Sequence, residues 1–475
     1  MLLKHSLFYL LARGLPGIIN LLAMAIYTRL LSPDDYGRYA LVIAGVGLAN
    51  GILFQWLRFG VLRFFPVYED RQQVFLSTIL TGYIALAVLT GLGGAAALVF
   101  IVDPVVRGLV VLGTLLLWAQ AFYEMNLELL RIHLAPGRYG IISVAKTTVA
   151  LCIGGLLAYQ GFGASGLILG LMAGMLLASF IQMKSWSRLG FRLADAAICR
   201  EILAYGLPLS ATFALAFVVS SSDRFLLGWF LGAGATGVYA AGYDIANQAL
   251  VVLMMIVNLA AYPLAVRALE QEGEKAARQQ ISQNVTLLLM VALPCTVGFA
   301  LLAPNIASVF LGKAFRASAV MLIPWIAFGS LLAGIKSFYF DLSFQMGRST
   351  IGQVWVTLAA AIVNIALNFW WIPQVGIMGA AYATVVAYAT AMGLSWFLGR
   401  RLFPLPFPAR GTSRLVLAVA GMGGVLWPLR SLHGAGALGM QVTAAIVVYG
   451  SLVLAFNVAG MRSEVLRLLS RGSDA

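Results

Sequence analysis

The chain has 475 residues, 61% of them hydrophobic and only 10% charged, with a formal net charge of +14. A water-soluble domain carries about a quarter charged residues, so most of this chain belongs in lipid, where charge is costly. The basic excess is spread between apolar runs rather than gathered on a polar surface, which excludes nucleic acid as the natural partner.

Apolar runs of the roughly 20 residues needed to cross a bilayer recur about fourteen times. Their approximate limits are 8–31, 37–59, 74–101, 105–128, 140–160, 163–186, 201–230, 237–266, 283–311, 317–344, 350–372, 376–398, 412–431 and 440–460. The runs are long and lack period-two alternation, so helices are predicted rather than a barrel. The first run, after Lys4, is too long for a signal-peptide core and has no clear cleavage site, so it reads as a retained span. The third has a potential break at Gly91-Leu-Gly-Gly94. The longest links, Lys184–Arg200 and Arg267–Gln283, read as basic or mixed-charge loops, and none is long enough to be a soluble domain.

Orientation follows from Lys and Arg. With the N-terminus inside, twenty-one of the 31 basic residues fall on one side, five on the other and five within spans. This bias predicts an even number of spans and both termini cytoplasmic.

The second half of the chain repeats the first. Leu11-Ala-Arg-Gly-Leu-Pro16 matches Leu203-Ala-Tyr-Gly-Leu-Pro208, and Tyr36-Gly-Arg-Tyr-Ala40 matches Thr236-Gly-Val-Tyr-Ala240. Gly137-Arg138 matches Gly347-Arg348, and Gly163-x-x-Gly166-x-x-x-Gly170 matches Gly376-x-x-Gly379-x-x-x-Ala383. Six spans precede the second copy, so both copies start on the same side, as in a parallel repeat. The expected organisation is an all-α membrane protein of two six-helix lobes, 1–186 and 201–398. A cytoplasmic linker at 187–200 joins them, and a helix pair and tail are appended at 399–475.

Ionisable residues within spans are functional candidates, because their cost in lipid drives them toward a cavity or a partner. Arg13, Lys146 and Lys336, with Asp341 nearer the cytoplasmic end, would place positive charge around the inner half of a cavity. Such charge attracts phosphate or an acidic sugar. The alternative for each is snorkelling to the headgroups, and Glu124 offers Lys146 a structural counter-ion. Arg58 reads as an interfacial anchor. Asp223 and Asp244 lie about ten residues either side of a turn near residues 233–234, so they share a depth at 1.5 Å per residue. Arg224 would bridge to Asp244. That bridge either closes an outer gate or forms a coupling site, where a proton or sodium ion competes with Arg224 for a carboxylate. Asn247, Asn258, Asn364 and Asn368 either meet sugar hydroxyls or tie helices together. Pro16 and Pro208 hold matching places in the repeat and permit matching bends, as hinges or as static kinks. Gly166-x-x-x-Gly170-x-x-x-Gly174 reads as close helix packing.

No GxxxxGK[ST] phosphate loop appears, so ATP hydrolysis is not expected. The scattered His5, His133 and His433 and the isolated Cys152, Cys199 and Cys295 give no metal or disulfide spacing. No cofactor is predicted. Asp34-Asp35 and Glu69-Asp70 sit in short loops and read as turn charges.

Three segments carry a family resemblance. Leu30-Leu-Ser-Pro-Asp-Asp-Tyr-Gly-Arg-Tyr-Ala-Leu41 resembles the first turn of Wzx-type polysaccharide flippases. Asp223-Arg224, Leu231-Gly and Gly237-Val-Tyr-Ala-Ala-Gly-Tyr243 resemble their seventh span. Asn364-x-x-x-Asn368, Pro373 and Gly376-x-x-Gly379-Ala-Ala-Tyr-Ala383 resemble their spans eleven and twelve. The likeness runs over about residues 5–400 and implies the multidrug/oligosaccharidyl-lipid/polysaccharide exporter superfamily. It implies two lobes around a cavity, without ATP hydrolysis. The implied activity is movement of undecaprenyl-diphosphate-linked oligosaccharide to the outer leaflet of a bacterial inner membrane, with basic cavity residues recognising substrate. The last helix pair departs from the twelve spans of many such proteins. The rivals are a lipid-II flippase, a multidrug or cation antiporter of the same fold and, from another class, a polysaccharide polymerase or ligase. The expected partners are the lipid-linked oligosaccharide, membrane lipids, and polysaccharide polymerase and assembly proteins.

Overall fold

The computed structural model describes residues 2–133, 135–186 and 189–462, and the side chains of that set except at 2–14, 184, 185 and 459. Among the described residues every regular element is helical. Thirteen helices are long and apolar enough to cross a bilayer, and Leu15–Leu30 adds a shorter apolar helix. The chain divides into two compact units, residues 1–240 and 241–475.

In the first unit, α1 (Leu2–Leu30) is followed by α2 (Pro33–Ala49). Ser32 caps α2 by accepting the Asp35 N–H at 3.1 Å. Pro33 and the carboxylates of the first turn suit a helix start, where a missing N–H costs nothing and negative charge meets the dipole. One π-helical turn, Asn50–Phe54, joins α2 to α3 (Gln55–Phe64). Next come α4 (Gln72–Phe100), α5 (Pro104–Ile132), α6 (Pro136–Tyr159), α7 (Gly163–Phe180) and α8 (Ala196–Leu231). The start of α9 (Ala233–Glu272) completes the unit. The break expected at Gly91–Gly94 is absent: α4 runs through it, steadied by the Trp118 indole, which donates to Thr90 Oγ1 at 2.9 Å. The α6–α7 pair meets through the predicted glycines. A Cβ on Gly170 would strike the backbone of Gly154, so only Gly allows this approach.

The link between α7 and α8 is stitched to the unit rather than free. The Trp186 indole donates to Asn126 Oδ1 at 2.6 Å, and the Asp195 N–H donates to Thr78 Oγ1 at 2.9 Å. Asp195 in turn caps α8 by accepting the Ala197 N–H at 2.8 Å and pairs with Arg71 at 3.5 Å. From there α8 packs along α3 and α2.

In the second unit, α9 leads to α10 (Glu274–Phe310), α11 (Lys313–Ile335), a π-helical turn (Lys336–Phe340) and α12 (Leu342–Met346). Then follow α13 (Ile351–Val375), α14 (Ile377–Gly399), α15 (Ala409–Leu429) and α16 (Ala435–Ala455). The predicted loop at Arg267–Gln283 is helical except at Gly273, whose φ of 88° makes the turn. Its Glu, Lys, Arg, Ala and Gln residues are strong helix formers, and Glu274 pairs with Arg278 one turn on, at 2.6 Å. Here α10 packs on α11 and α15, and α14 packs on α11 and α13.

Large apolar side chains cover the outside. Leu89, Leu92, Val99 and Phe100 of α4 are exposed, as are Ile446 and Val447 of α16. Apolar patches of this size are not left facing water. They face lipid tails, and the chain is a multi-pass membrane protein.

Candidate functional site

The first unit holds a cluster of charge at the level of the α2–α3 π-turn. Arg58 of α3 donates to Glu124 Oε2 at 2.7 Å and to Glu128 Oε1 at 3.0 Å. Glu124 and Glu128 lie one turn apart on α5, so both carboxylates reach the same guanidinium. Asn50, in the π-turn, donates to Glu124 Oε2 at 2.7 Å, and Gln120 donates to Oε1 at 3.0 Å. Gln55 accepts from Arg58 at 2.8 Å. The three ionised side chains are only 22%, 21% and 12% exposed. The π-turn inserts an extra residue and re-aims Asn50 into the cluster, a common use of such bulges.

Arg58 is therefore an ion-paired residue inside the protein rather than an interfacial anchor. Sequence spacing missed it because pairing with α5 is a tertiary event, although Glu124 and Glu128 at i and i+4 were a readable signal. Lys146 sits with its ammonium 6.0 Å from the centre of the Tyr123 ring and interacts electrostatically with Glu124. Glu124 thus serves Arg58 directly and Lys146 at longer range.

The second unit holds its own buried ion pair. Lys336 opens the π-turn after α11 and pairs with Asp341 at 2.8 Å, the two being 14% and 8% exposed. The Ser395 hydroxyl of α14 donates to the other Asp341 oxygen at 2.8 Å. The Gly137 and Gly347 turns correspond in the repeat; Glu124 and Glu128 precede the first as Lys336 and Asp341 precede the second, whereas Arg58 comes from α3. Both charged groups are built on a π-turn, the first in the span that pairs with the carboxylates and the second in the span that carries them.

Asp223 and Arg224 lie near the end of α8. The Tyr239 hydroxyl donates to Asp223, which is buried, and the Arg224 N–H donates to the other Asp223 oxygen at 2.9 Å. Tyr239 occupies the place of Tyr39 in the repeat. Asp244 is half-buried in α9 within the second unit. Pro16 and Pro208 lie inside continuous helices, α1 and α8. Arg13 lies outside the residues whose side chains are described. In the second unit Asn247 accepts from Ser330 at 2.9 Å, and Asn368 donates to Asn364 at 3.1 Å. The described residues bring no metal-binding group of His, Cys, Asp or Glu together.

The Arg58 and Lys336 sites both hold a cation against carboxylates inside the protein. The profile of a family described as polysaccharide biosynthesis protein matches residues 26–320. A protein of Shigella flexneri named "Putative O-antigen transporter" is 21% identical over 417 residues, which cover 84% of this chain and 98% of that one. Among solved structures, lipid II flippase MurJ in an inward closed conformation matches with a TM-score of 0.76 at 15% identity, over 95% of this chain and 99% of that chain. An inward-facing multidrug resistance MATE family transporter matches with a TM-score of 0.63 at 14% identity, over 83% and 97%. At such identities the structural likeness establishes the fold, and function has to be argued from the sites.

Proposed function

We propose that this chain, which belongs to the polysaccharide biosynthesis protein family, is a flippase for lipid-linked oligosaccharide. Undecaprenyl-diphosphate-linked repeat units would move from the cytoplasmic to the periplasmic leaflet by alternating access of two six-helix lobes, with both termini cytoplasmic. The Shigella relative's name points to the same cargo class.

One observation carries the reading: Arg58 and Lys336 are held inside the protein by carboxylates, at 2.7 and 2.8 Å. A diphosphate is a stronger, multidentate acceptor for guanidinium and ammonium groups than a single carboxylate. It would displace Asp341 from Lys336, or Glu124 and Glu128 from Arg58, and take the cation, while the lipid tail stays in the bilayer. Lys146, Arg13 and Arg224 would add to the basic lining. Asp223 and Asp244 would act in the outer gate or in coupling to a proton or sodium gradient. Pro16 and Pro208 would serve as hinges. Polysaccharide polymerase and assembly proteins would receive the product.

The test is reconstitution into vesicles with a fluorescent undecaprenyl-diphosphate oligosaccharide, with and without ion gradients. Protein-dependent appearance of the label in the outer leaflet supports the reading, and folded protein that moves none of several such donors defeats it. A second reading, flipping of lipid II, is favoured by the two helices beyond twelve and the 95% coverage of the MurJ fold. Lipid II belongs among the donors for that reason.

A further inference from the structure

The second unit contains a cavity of about 340 Å³ between the π-turn, the end of α14 and the segment that follows it. Its walls are Tyr339, Phe340, Trp396, Phe403 and Phe407, with Arg400 beside them. The roof is preformed. Pro404, Pro406 and Pro408 fix its backbone, and the Tyr339 hydroxyl donates to the Pro406 carbonyl at 2.8 Å. The polar groups of the wall are already engaged: Ser343 donates to the Phe340 carbonyl at 2.6 Å and Ser395 to Asp341. A ligand here meets rings and aliphatic carbon, with few free hydrogen-bonding groups to read a sugar or a base.

Charge lies at the rim. Arg400 is exposed, stacked 5.0 Å from the centre of the Trp396 ring and 4.8 Å from that of Phe397. It makes no ion pair among the described residues. The stretch from Gly399 to Leu415 holds Arg400, Arg401, Arg410 and Arg414 and no acidic residue. The four arginines are all exposed. Exposed Trp396, Phe397 and Phe407 beside them mark the level of the membrane interface, where amphipathic rings and basic side chains collect.

We propose that this cavity is a binding site for an anionic phospholipid, with one acyl chain among the aromatic rings and the headgroup phosphate on Arg400 and Arg401. An aromatic-lined cavity with a basic rim fits an amphiphile whose polar end is negative, and a free phosphate leaves the cavity unfilled. The lipid lies against Ser395, whose hydroxyl holds Asp341 and through it Lys336. Occupancy therefore steadies the π-turn that presents Lys336. The site rests on the membrane location of the chain and not on its cargo, so a failed flipping assay leaves it standing.

The experiment is native mass spectrometry of the purified full chain after exchange with phosphatidylglycerol or phosphatidylcholine. The wild type is expected to retain phosphatidylglycerol preferentially, by about fivefold for each arginine engaged. Arg400→Gln/Arg401→Gln should abolish the preference without changing the melting temperature, since both side chains are exposed. Leu405→Trp, which fills the cavity, should lower retention of both lipids together. An equal affinity for the two lipids overturns the proposal. So does an unchanged preference in the double variant, or displacement of the lipid by millimolar inorganic phosphate.

Discussion

Gly37 and Gly237 hold corresponding places in the sequence repeat and lie against each other in the first unit. A Cβ on Gly37 would strike the carbonyl of Ala233 and one on Gly237 the carbonyl of Pro33. The contact is reciprocal, turn against turn, and it leaves room for hydrogen only. It is the tightest expression of the repeat in the fold, and it explains why both copies carry Gly before the residue that precedes their tyrosine.

Replacing Gly37 by Ala forces these backbones apart. Overpacking of this kind costs about 1–3 kcal/mol, so the detergent-solubilised variant should melt at lower temperature than the wild type. Gly45→Ala is the control, because nothing lies within 4 Å of its Cβ position and Ala favours the helix. Equal melting temperatures for wild type and Gly37→Ala would show that the turn yields freely.

Arg58→Ala takes from Glu124 its direct cation and leaves Glu128 with only the more exposed Arg131, at 3.6 Å. Breaking a buried pair costs about 3 kcal/mol at the low end of its range, appropriate to side chains a fifth exposed. The yield of monodisperse protein should fall. Arg58→Leu/Glu124→Gln/Glu128→Gln removes Arg58 together with both carboxylates, leaving Lys146 and Arg131 as the remaining cations, and should recover part of the lost yield while abolishing flipping. If the triple variant flips at the wild-type rate, the cluster is structural and has no part in transport.

Lys336→Met strands the Asp341 carboxylate, and Asp341→Asn strands the ammonium group. The double variant should be more stable than the sum of the single losses allows, with a coupling energy of about 2 kcal/mol in a thermal-stability cycle. Additive losses would mean that the pair contributes nothing beyond packing.

The Tyr68 hydroxyl donates to Glu201 Oε2 at 2.6 Å, tying the end of α3 to the start of α8. That hydrogen bond holds the Tyr68 pKa above its ordinary value of 10.0. A pKa raised on folding means that the contribution is complete below pH 10 and is lost as pH rises through the folded-state value. Alkylation of Cys199, which is half-buried between the ties at Asp195 and Glu201, reads this out. At pH 8 Tyr68→Phe should react faster than wild type, and the rate ratio should approach one at strongly alkaline pH. A ratio that stays constant across the range would remove the tie from α8.

The composition and the recurrence of apolar runs determined that this chain is a bundle of membrane helices, because the bilayer admits few other solutions. Gly and Pro positions revealed the repeat, since turns demand particular residues whatever surrounds them. The α6–α7 glycines were readable for the same reason. The tertiary structure decided the charge pairing. Arg58 looked like an anchor at a helix end, and only the packing of α3 on α5 gave it Glu124 and Glu128. The π-turns that aim Asn50 and Lys336 leave no mark in hydropathy, because one extra residue in a helix barely shifts the apolar pattern. The link after α7 read only as a basic or mixed-charge loop, and the structure supplied the partners of Trp186 and Asp195 on α5 and α4. Periodicity reports how each helix meets lipid. Which ions meet inside depends on neighbours far away in the chain.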